Sequence, residues 1–437
     1  MSFSLFYTGL AGLQANSNRL GVIGNNLANL NTIGFKSSRV TFADIFSGGG
    51  GTGFNGAGNP MQVGRGVQIG SIDQLFSQGS FQSTGMITDL SIQGQGFFVL
   101  ADSTGTQSFG RAGNFTFDKD GNLVTPAGGY VQGWTDRNAN GNIPSSGQMA
   151  NIQVPVGLVA PPQATTTLSN MTNLSADARV DDPLTALDEA QEFQVTTTVY
   201  DSLGARHNVT FSYTPADNAT TPTGRLDHWT YSVTVPGEDV TGGTAGTPFE
   251  IDAGTVAFDS NGLLVTPAAN VTLAVPAWTN GAAAQSVDWL LFDDANSGLL
   301  TGYSGASATS STSQNGFGVG TLRALTIDQD GLVSGNFTNG STLELAKIAM
   351  AVFRNPNGLI RNGANSLIET SSSGPATIGG ANTAGRGEII ANSLELSNVD
   401  ITQEFTEMIV SERGYQANSR IITTVDQILQ EALSLKR

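Results

Sequence analysis

Only two histidines, His207 and His228, stand among the 437 residues, and there is no cysteine. Nucleophilic catalysis of the serine type needs an imidazole held between a hydroxyl and an orienting carboxylate. Both histidines fall in β-like segments, HNVTFSYT and HWTYSVTV, with no nucleophile-elbow motif beside either, so surface or strand-packing roles are expected for them. Metal chemistry is no better served. The run DRNANGN, opening at Asp136, imitates a calcium loop, but its twelfth position is Gly147, where a bidentate acid belongs. Asp118, Asp120 and Gly121, and again Asp328, Asp330 and Gly331, form short D-x-D-G runs between strand-like segments, which is the chemistry of hairpin turns. Gly94 and Gly96 of GQGFF lead into strand-like FFVL rather than a helix, and so cannot cradle phosphate. No catalytic residue, metal or cofactor is expected, and the chain reads as a protein that is not an enzyme.

The elements that carry these residues differ sharply in period between the ends and the middle of the chain. Near the start, Phe6, Leu13, Leu20 and Leu27 recur every seven positions, joined by Ile23 and Leu30, marking one helical stripe. The C-terminus repeats the period with Ile401, Met408, Tyr415, Ile422 and Leu429, broadened by Phe405, Val425 and Leu433, and Asp400 with Gln403 offers an N-cap and capping box. Two such stripes at opposite ends imply that the ends meet as a coiled coil. The first helix is nonetheless weak: Gly9, Gly12, Gly21, Gly24, Asn16, Asn18, Asn25 and Asn26 each cost it something, about 1 kcal/mol for a glycine against alanine. A stripe on so weak a helix makes sense if neighbouring copies complete it, burial of Leu13, Leu20, Ile23 and Leu27 offsetting an ordering cost of about 1–2 kcal/mol per residue. An ordinary helix hairpin capping a β domain fits the same period.

Between the ends the language is β. IQGQGFFVLAD, FGRAGNFTFDKDGNLVTPAGGYVQGW, FQVTTTVYDSLGARHNVTFSYT and LRALTIDQDGLVSGNF alternate or run apolar, with Asp-Gly and Asn-Gly pairs where tight hairpins require positive φ. Phe97, Phe98, Phe109, Phe115 and Phe117 are the expected core of a first β domain. The expected order is terminal helices over 1–30 and 398–437, an extended Gly-rich connector over 31–71 and 376–397, a first β domain over 72–149 and 301–375, and a β-barrel or sandwich inserted over 150–300. Glycine-rich Ser47–Asn59 and low-complexity Ser304–Gly316 are the expected hinges. Only 13% of residues are charged, and they sum to −17, so a nucleic-acid partner lacks its cationic footprint. The first twenty residues carry no basic region followed by a compact apolar core, and no run reaches the ~20 apolar residues of a membrane span, so neither a cleavable signal nor membrane insertion is expected.

NTIGFK, SIQGQGFFVL, FGRAGNFTFDKDGNLVTPAGGYVQGW and LELSNVDITQEFTEMIVSERGYQANSRIITTVDQIL, in that order, resemble the bacterial flagellar rod and hook family. Axial rod members are shorter because they lack the inserted domain, whereas TVYDSLGARHNVTFSY, NGFGVGTLRALTIDQDGLVSGNFTNG and LAKIAMAVFRNPNGL resemble the hook members. The resemblance implies a homopolymer: a curved tube with paired terminal helices innermost and the inserted domain outermost, passing motor torque to a filament. It implies contacts with a rod protein below, junction proteins above and a cap during assembly, and export through the flagellar type III apparatus to an extracellular location. A distal rod subunit is the alternative within the family, and a secreted β-rich adhesin the alternative outside it. Curvature would require outer contacts that slide, which a surface of Thr, Ser, Asn and Gly suits better than fixed ion pairs.

Overall fold

The computed structural model describes residues 2–46, 64–138, 141–155, 157–178, 192–216, 227–293, 295 and 297–434. The chain is mainly β with a helix at each end, α1 over Ser2–Ala28 and α2 over Ile401–Ser434. It divides into two compact units, one made of Met1–Val156, Leu325–Gly335 and Glu344–Arg437, the other of Gly157–Ala324 and Asn336–Leu343. In the first unit the central strand Phe97–Ala101 is buried along its whole length, because the sheet is covered on both faces. Phe98 and Leu100 point into a cluster with Leu90, Phe115, Ile152 and Met350. Phe97 and Val99 point into another with Phe109, Trp134 and Phe353, where the Phe109 and Phe353 rings meet edge to face at 4.8 Å. Four of the five expected core phenylalanines lie there. Phe117 is instead exposed, at the mouth of the Asp118 turn and beyond the covered part of the sheet.

Much of the expected extended connector is paired into strands. Ser38–Phe46 (β1) and Gly64–Gln74 (β2) pair antiparallel from Ser38 opposite Gln74 to Phe46 opposite Gly64. On the return path Glu388–Ala391 pairs with Leu90–Gln93 and Ser393–Glu395 with Phe81–Ser83. The alternation in RVTFADIF and VQIGSIDQ is a strand pattern that the neighbouring glycines obscured. The expected hinge at Ser47–Asn59 lies outside the described residues.

The second unit holds two facing sheets. One is a fully antiparallel series, Phe193–Tyr200, Arg206–Pro215, His228–Pro236, Pro248–Phe258 and Leu264–Thr266. The other orders Val271–Val275, Gln285–Leu290, Thr167–Asn173 and Leu300–Thr301, with Ala308–Gln314 along Thr167–Asn173. Trp289 of the second sheet packs on Phe211 and Tyr231 of the first at 4.8 and 5.2 Å between ring centroids. Strict alternation sends Val195, Thr197 and Val199 inward and leaves Gln194, Thr196 and Thr198 exposed. Ser304–Gly316, expected as a hinge, is in its larger part this last strand: Ser and Thr on an edge need no apolar face to pair. The D-x-D-G runs are hairpin turns, as their chemistry requires. Gly121 and Gly331 have φ of 82° and 77°, and Asp118 and Asp328 each accept backbone N–H bonds from two and four residues ahead.

The four glycines of α1 fall into two classes. A Cβ at Gly12 would lie 2.7 Å from Asn418 of α2, and one at Gly9 3.3 Å from Ile422, so these two permit the helices to approach. Gly21 and Gly24 face open space. Gly24→Ala is therefore expected to stabilise the helix pair by about 0.8–1 kcal/mol, and Gly12→Ala to weaken it, as measured by helical circular dichroism through a denaturant titration.

Candidate functional site

The candidate surface is built on the paired terminal helices. They run antiparallel: Gly9 lies against Ile422, Gly12 against Asn418, Asn16 against Gly414, and Asn26 bonds Glu404 at 2.8 Å. Arg19 adds an ion pair with Glu407 at 3.2 Å, partly exposed and so worth at most about 1 kcal/mol. The seam of α2 is thus Glu404, Glu407, Ser411, Gly414, Asn418, Ile422 and Val425, polar or small for its first half and apolar only afterwards. Asp400 caps α2, accepting from the Thr402 and Gln403 amides at 2.8 and 3.1 Å, but the capping box is incomplete because the Gln403 side chain turns to Glu407 instead.

Against this seam the heptad residues sort into three groups. Ile23 and Val425 are buried. Phe6, Leu13, Leu20, Leu27, Leu30, Met408 and Leu429 are half-buried on its flanks, and Ile422 is half-buried within it. Ile401, Phe405 and Tyr415 are exposed and do not join the two helices. The heptad line drifts off the seam because a straight α-helix turns 3.6 residues, not 3.5, per turn. Leu433 belongs to α2, but its side chain lies outside the described residues. Period seven also missed Ile409, which continues Ile401 and Phe405 at i+4 and i+8, and the exposed Leu5, Tyr7 and Leu10 of α1. Phe405 and Ile409 are each 51% exposed. Reading the stripe with spacing four would have found that ridge.

The helices are tied to the β structure by groups that composition alone does not mark. Asn26, 1% exposed, both accepts from the Ser38 amide at 2.9 Å and donates to its carbonyl at 2.8 Å. Asn398 does the same service for the return chain, accepting from the Ser37 amide and donating to the Leu75 carbonyl, each at 2.8 Å. Between them lies Glu395, with no exposed surface. One carboxylate oxygen accepts from Lys36 Nζ at 2.6 Å and the Gly79 amide at 2.9 Å, and the other faces Arg111 Nη1 at 3.4 Å. Lys36 also donates to the Ser77 carbonyl at 2.7 Å, and Arg111 to the carbonyls of Ile92 and Gly94 at 3.1 and 2.6 Å. Burial pulls the Lys36 ammonium below the usual lysine range against the opposing hold of Glu395, and burial lowers the Arg111 guanidinium likewise. Gly34, at φ 68°, brings this segment so close that a Cβ would sit 2.6 Å from the Ala112 amide.

Neither histidine belongs to a reactive constellation. The His207 ring stacks on Trp278 at 3.7 Å, and its two nitrogens face Asp201 at 3.1 Å and Asp239 at 3.2 Å. Burial opposes the Asp201 charge, but bonds from Asn280, His207 and two backbone amides outweigh it and hold the carboxyl below its usual range. His228 sits beside Asp227 at 2.7 Å, partly exposed. In DRNANGN the Asn138 side-chain oxygen accepts from the Asn142 amide at 3.0 Å, the kind of bond a polar loop makes. Among the described residues no group of three or more His, Asp or Glu could hold a metal ion, and no helix is long and apolar enough to cross a membrane.

Paired terminal helices on a discontinuous β unit, with an apolar ridge left exposed, are features of a structural subunit. The comparisons name which one. Four family models match in order: flagella basal body rod protein over residues 6–36, flagellar hook protein FlgE/F/G D1 domain over 91–176, flagellar basal body protein FlaE D2 domain over 173–317, and flagellar basal body rod FlgEFG protein C-terminal over 390–435. The flagellar hook protein FlgE of Treponema pallidum is 36% identical over the whole of both chains. That of Salmonella typhimurium is 34% identical, again over all of both chains, and that of Borreliella burgdorferi 35%, covering 98% of this chain and 99% of its own. The chain belongs to the flagellar hook protein family. A crystal structure of Helicobacter pylori flagellar hook protein FlgE2 shares the fold, with a TM-score of 0.51 at 16% identity, covering 72% of this chain and all of that one.

Two outcomes test the anchor and the seam. Glu395→Ala leaves two buried cations without a counter-charge and is expected to cost about 3–5 kcal/mol in denaturant unfolding of the monomer. Burial raises the Glu404 carboxyl above its usual range, so its contribution to helix pairing is greatest in acid and is lost as pH rises through that raised value. Hydrogen-exchange protection of α2 should accordingly fall from about pH 4 to pH 7, and Glu404→Gln should flatten the profile.

Proposed function

We propose that this chain is the structural subunit of the bacterial flagellar hook, polymerising into a curved helical tube that serves as a universal joint between rod and filament. One observation carries the reading: the paired helices leave Ile401, Phe405 and Ile409, with Leu5, Tyr7 and Leu10, uncovered by their own chain. Exposed apolar ridges of this kind mark association surfaces. In the polymer, the helices of neighbouring copies would bury the ridge and form the innermost layer, with the inserted unit outermost. The heptad residues from Phe6 to Leu30 and Ile401 to Leu433 are the proposed polymerisation interface, widened by Ile409.

The seam itself explains why assembly is needed. Its polar first half buries little apolar surface, and α1 carries glycine at two positions that no neighbour requires. Helices held so lightly gain most of their stability from contacts with other copies. The exposed Thr and Gln of the inserted unit would give outer contacts that exchange hydrogen bonds and water as the tube bends. Further partners are a rod protein, the hook cap, the hook-filament junction proteins and the flagellar type III export apparatus, through which the chain would leave the cell without a cleavable signal peptide. The family's role is structural, and no reaction is assigned.

Phe405→Asp with Ile409→Asp is expected to leave the melting of the β units unchanged and to abolish tube formation, read by sedimentation and electron microscopy. Deletion of residues 1–30 should do the same. Tubes formed normally by either variant would remove the ridge from the mechanism.

A further inference from the structure

Beside the buried anchor, within the first unit, lies a cleft of about 230 Å³ lined by Asn25, Asn29, Phe35, Arg111, Arg361 and Asn365, with Lys36 at its base. Three cations border it, and among the described residues the carboxylate that reaches Lys36 and Arg111, Glu395, is shared between those two. Arg361 lies at the mouth, its residue surface open to solvent but its guanidinium partly desolvated 5.3 Å from the Phe35 ring centroid. Its Nη2 donates to the Lys36 carbonyl at 2.9 Å and to Ser38 Oγ at 3.1 Å, and among the described residues no carboxylate pairs with it. Burial alone lowers it. The Nε of Arg111 is buried without a hydrogen-bond partner. This surplus of positive charge stands out in a chain of net charge −17.

We propose that the cleft is a docking site for a carboxylate side chain of a second copy, a contact that rests on the polymer reading above. The volume favours one side chain, since drug-sized ligands occupy about 300–1,000 Å³. Charge complementarity favours a second copy. The first 43 residues contain no Asp or Glu, whereas α2 carries Glu404, Glu407, Glu412, Asp426 and Glu431 against Arg413 and Arg420. Only Glu404 and Glu407 of those acids are engaged with α1, while Glu412 and Asp426 accept from the neutral Gln416 and Gln430 of their own helix, so each copy brings carboxylates held by amides rather than cations to its neighbours. With its Nε–Nη2 edge turned to the Gln74 side-chain carbonyl, Arg361 offers an incoming carboxylate its Nη1, backed by the Phe35 ring. Such a contact would set the register between copies at the junction of helices and β unit.

The test measures the protein concentration needed for polymerisation at about 20 mM and about 500 mM NaCl, which brackets strong and weak screening. Wild type should polymerise less readily in high salt. Arg361→Gln should raise the low-salt concentration about tenfold, the worth of one partly desolvated charge pair, and lose most of the salt response. Arg361→Lys should keep that response, and Arg354→Gln, an exposed arginine that does not line the cleft, should behave as wild type. Asn365→Asp, which puts a resident carboxylate at the mouth, gives a second variant that should mimic Arg361→Gln without removing the guanidinium. Wild-type behaviour of both Arg361→Gln and Asn365→Asp at both salts overturns the proposal while leaving the polymer reading intact. Failure of the unaltered chain to polymerise in any salt overturns that reading, and the docking site with it.

Discussion

A carboxylate with no exposed surface is tolerable only if its charge is met on several sides, and Glu395 is met by Lys36, Arg111 and the Gly79 amide. Each of these comes from a different passage of the chain. Lys36 follows α1, Arg111 lies in the first β unit, and Glu395 is on the return path just before α2. Removing charges from water is expensive, so the cluster holds only when all three passages are in place, which makes it a condition on the fold more than a source of net stability. Gly34 and Asn398 then fix the two strands of chain beside it. The directions in which both helices leave the β unit follow from this cluster.

What leaves that anchor is a helix pair with an unusual division of labour. The side that joins α1 to α2 is small and polar near the anchor, with Asn26, Arg19, Glu404 and Glu407 reading one another through directional bonds. Apolar residues that would ordinarily fill such a seam stand on the outside. Directional polar contacts set which residues of the helices lie opposite each other at little gain in free energy, and the apolar ridge supplies the driving force once a partner covers it.

The inserted unit follows another logic. Its core of Trp229, Trp289, Phe211 and Tyr213 is large and fully enclosed, so it needs no neighbour to be stable. His207, locked between Asp201 and Asp239 and stacked on Trp278, belongs to that interior bracing. The outward residues of strands such as Phe193–Tyr200 are polar, with Gln194, Thr196 and Thr198 suited to contacts that form and break without large penalty. Rigid bodies with adaptable surfaces, carried on helices that assemble cooperatively, are the components a bending tube requires.

Much of this was legible in the residue order. Period seven at the ends, period two between them, Asp-Gly turns and the segments NTIGFK, FGRAGNF and LELSN identified the class of fold and the family. The hairpin of β1 and β2 was missed because its glycine-rich surroundings masked a short alternation, and Phe117 was misplaced because alternation does not say where a sheet ends. The helix stripes were found, but their period did not say that Ile401, Phe405 and Tyr415 stand outside the seam, and Ile409 was left out. Local pattern determines which residues can share a face, since that depends only on backbone geometry a few residues away. It does not determine which face meets which partner. That choice was made by Glu395, Asn26 and Asn398, whose bonds span 12 to 378 residues and exist only once distant segments have been brought together.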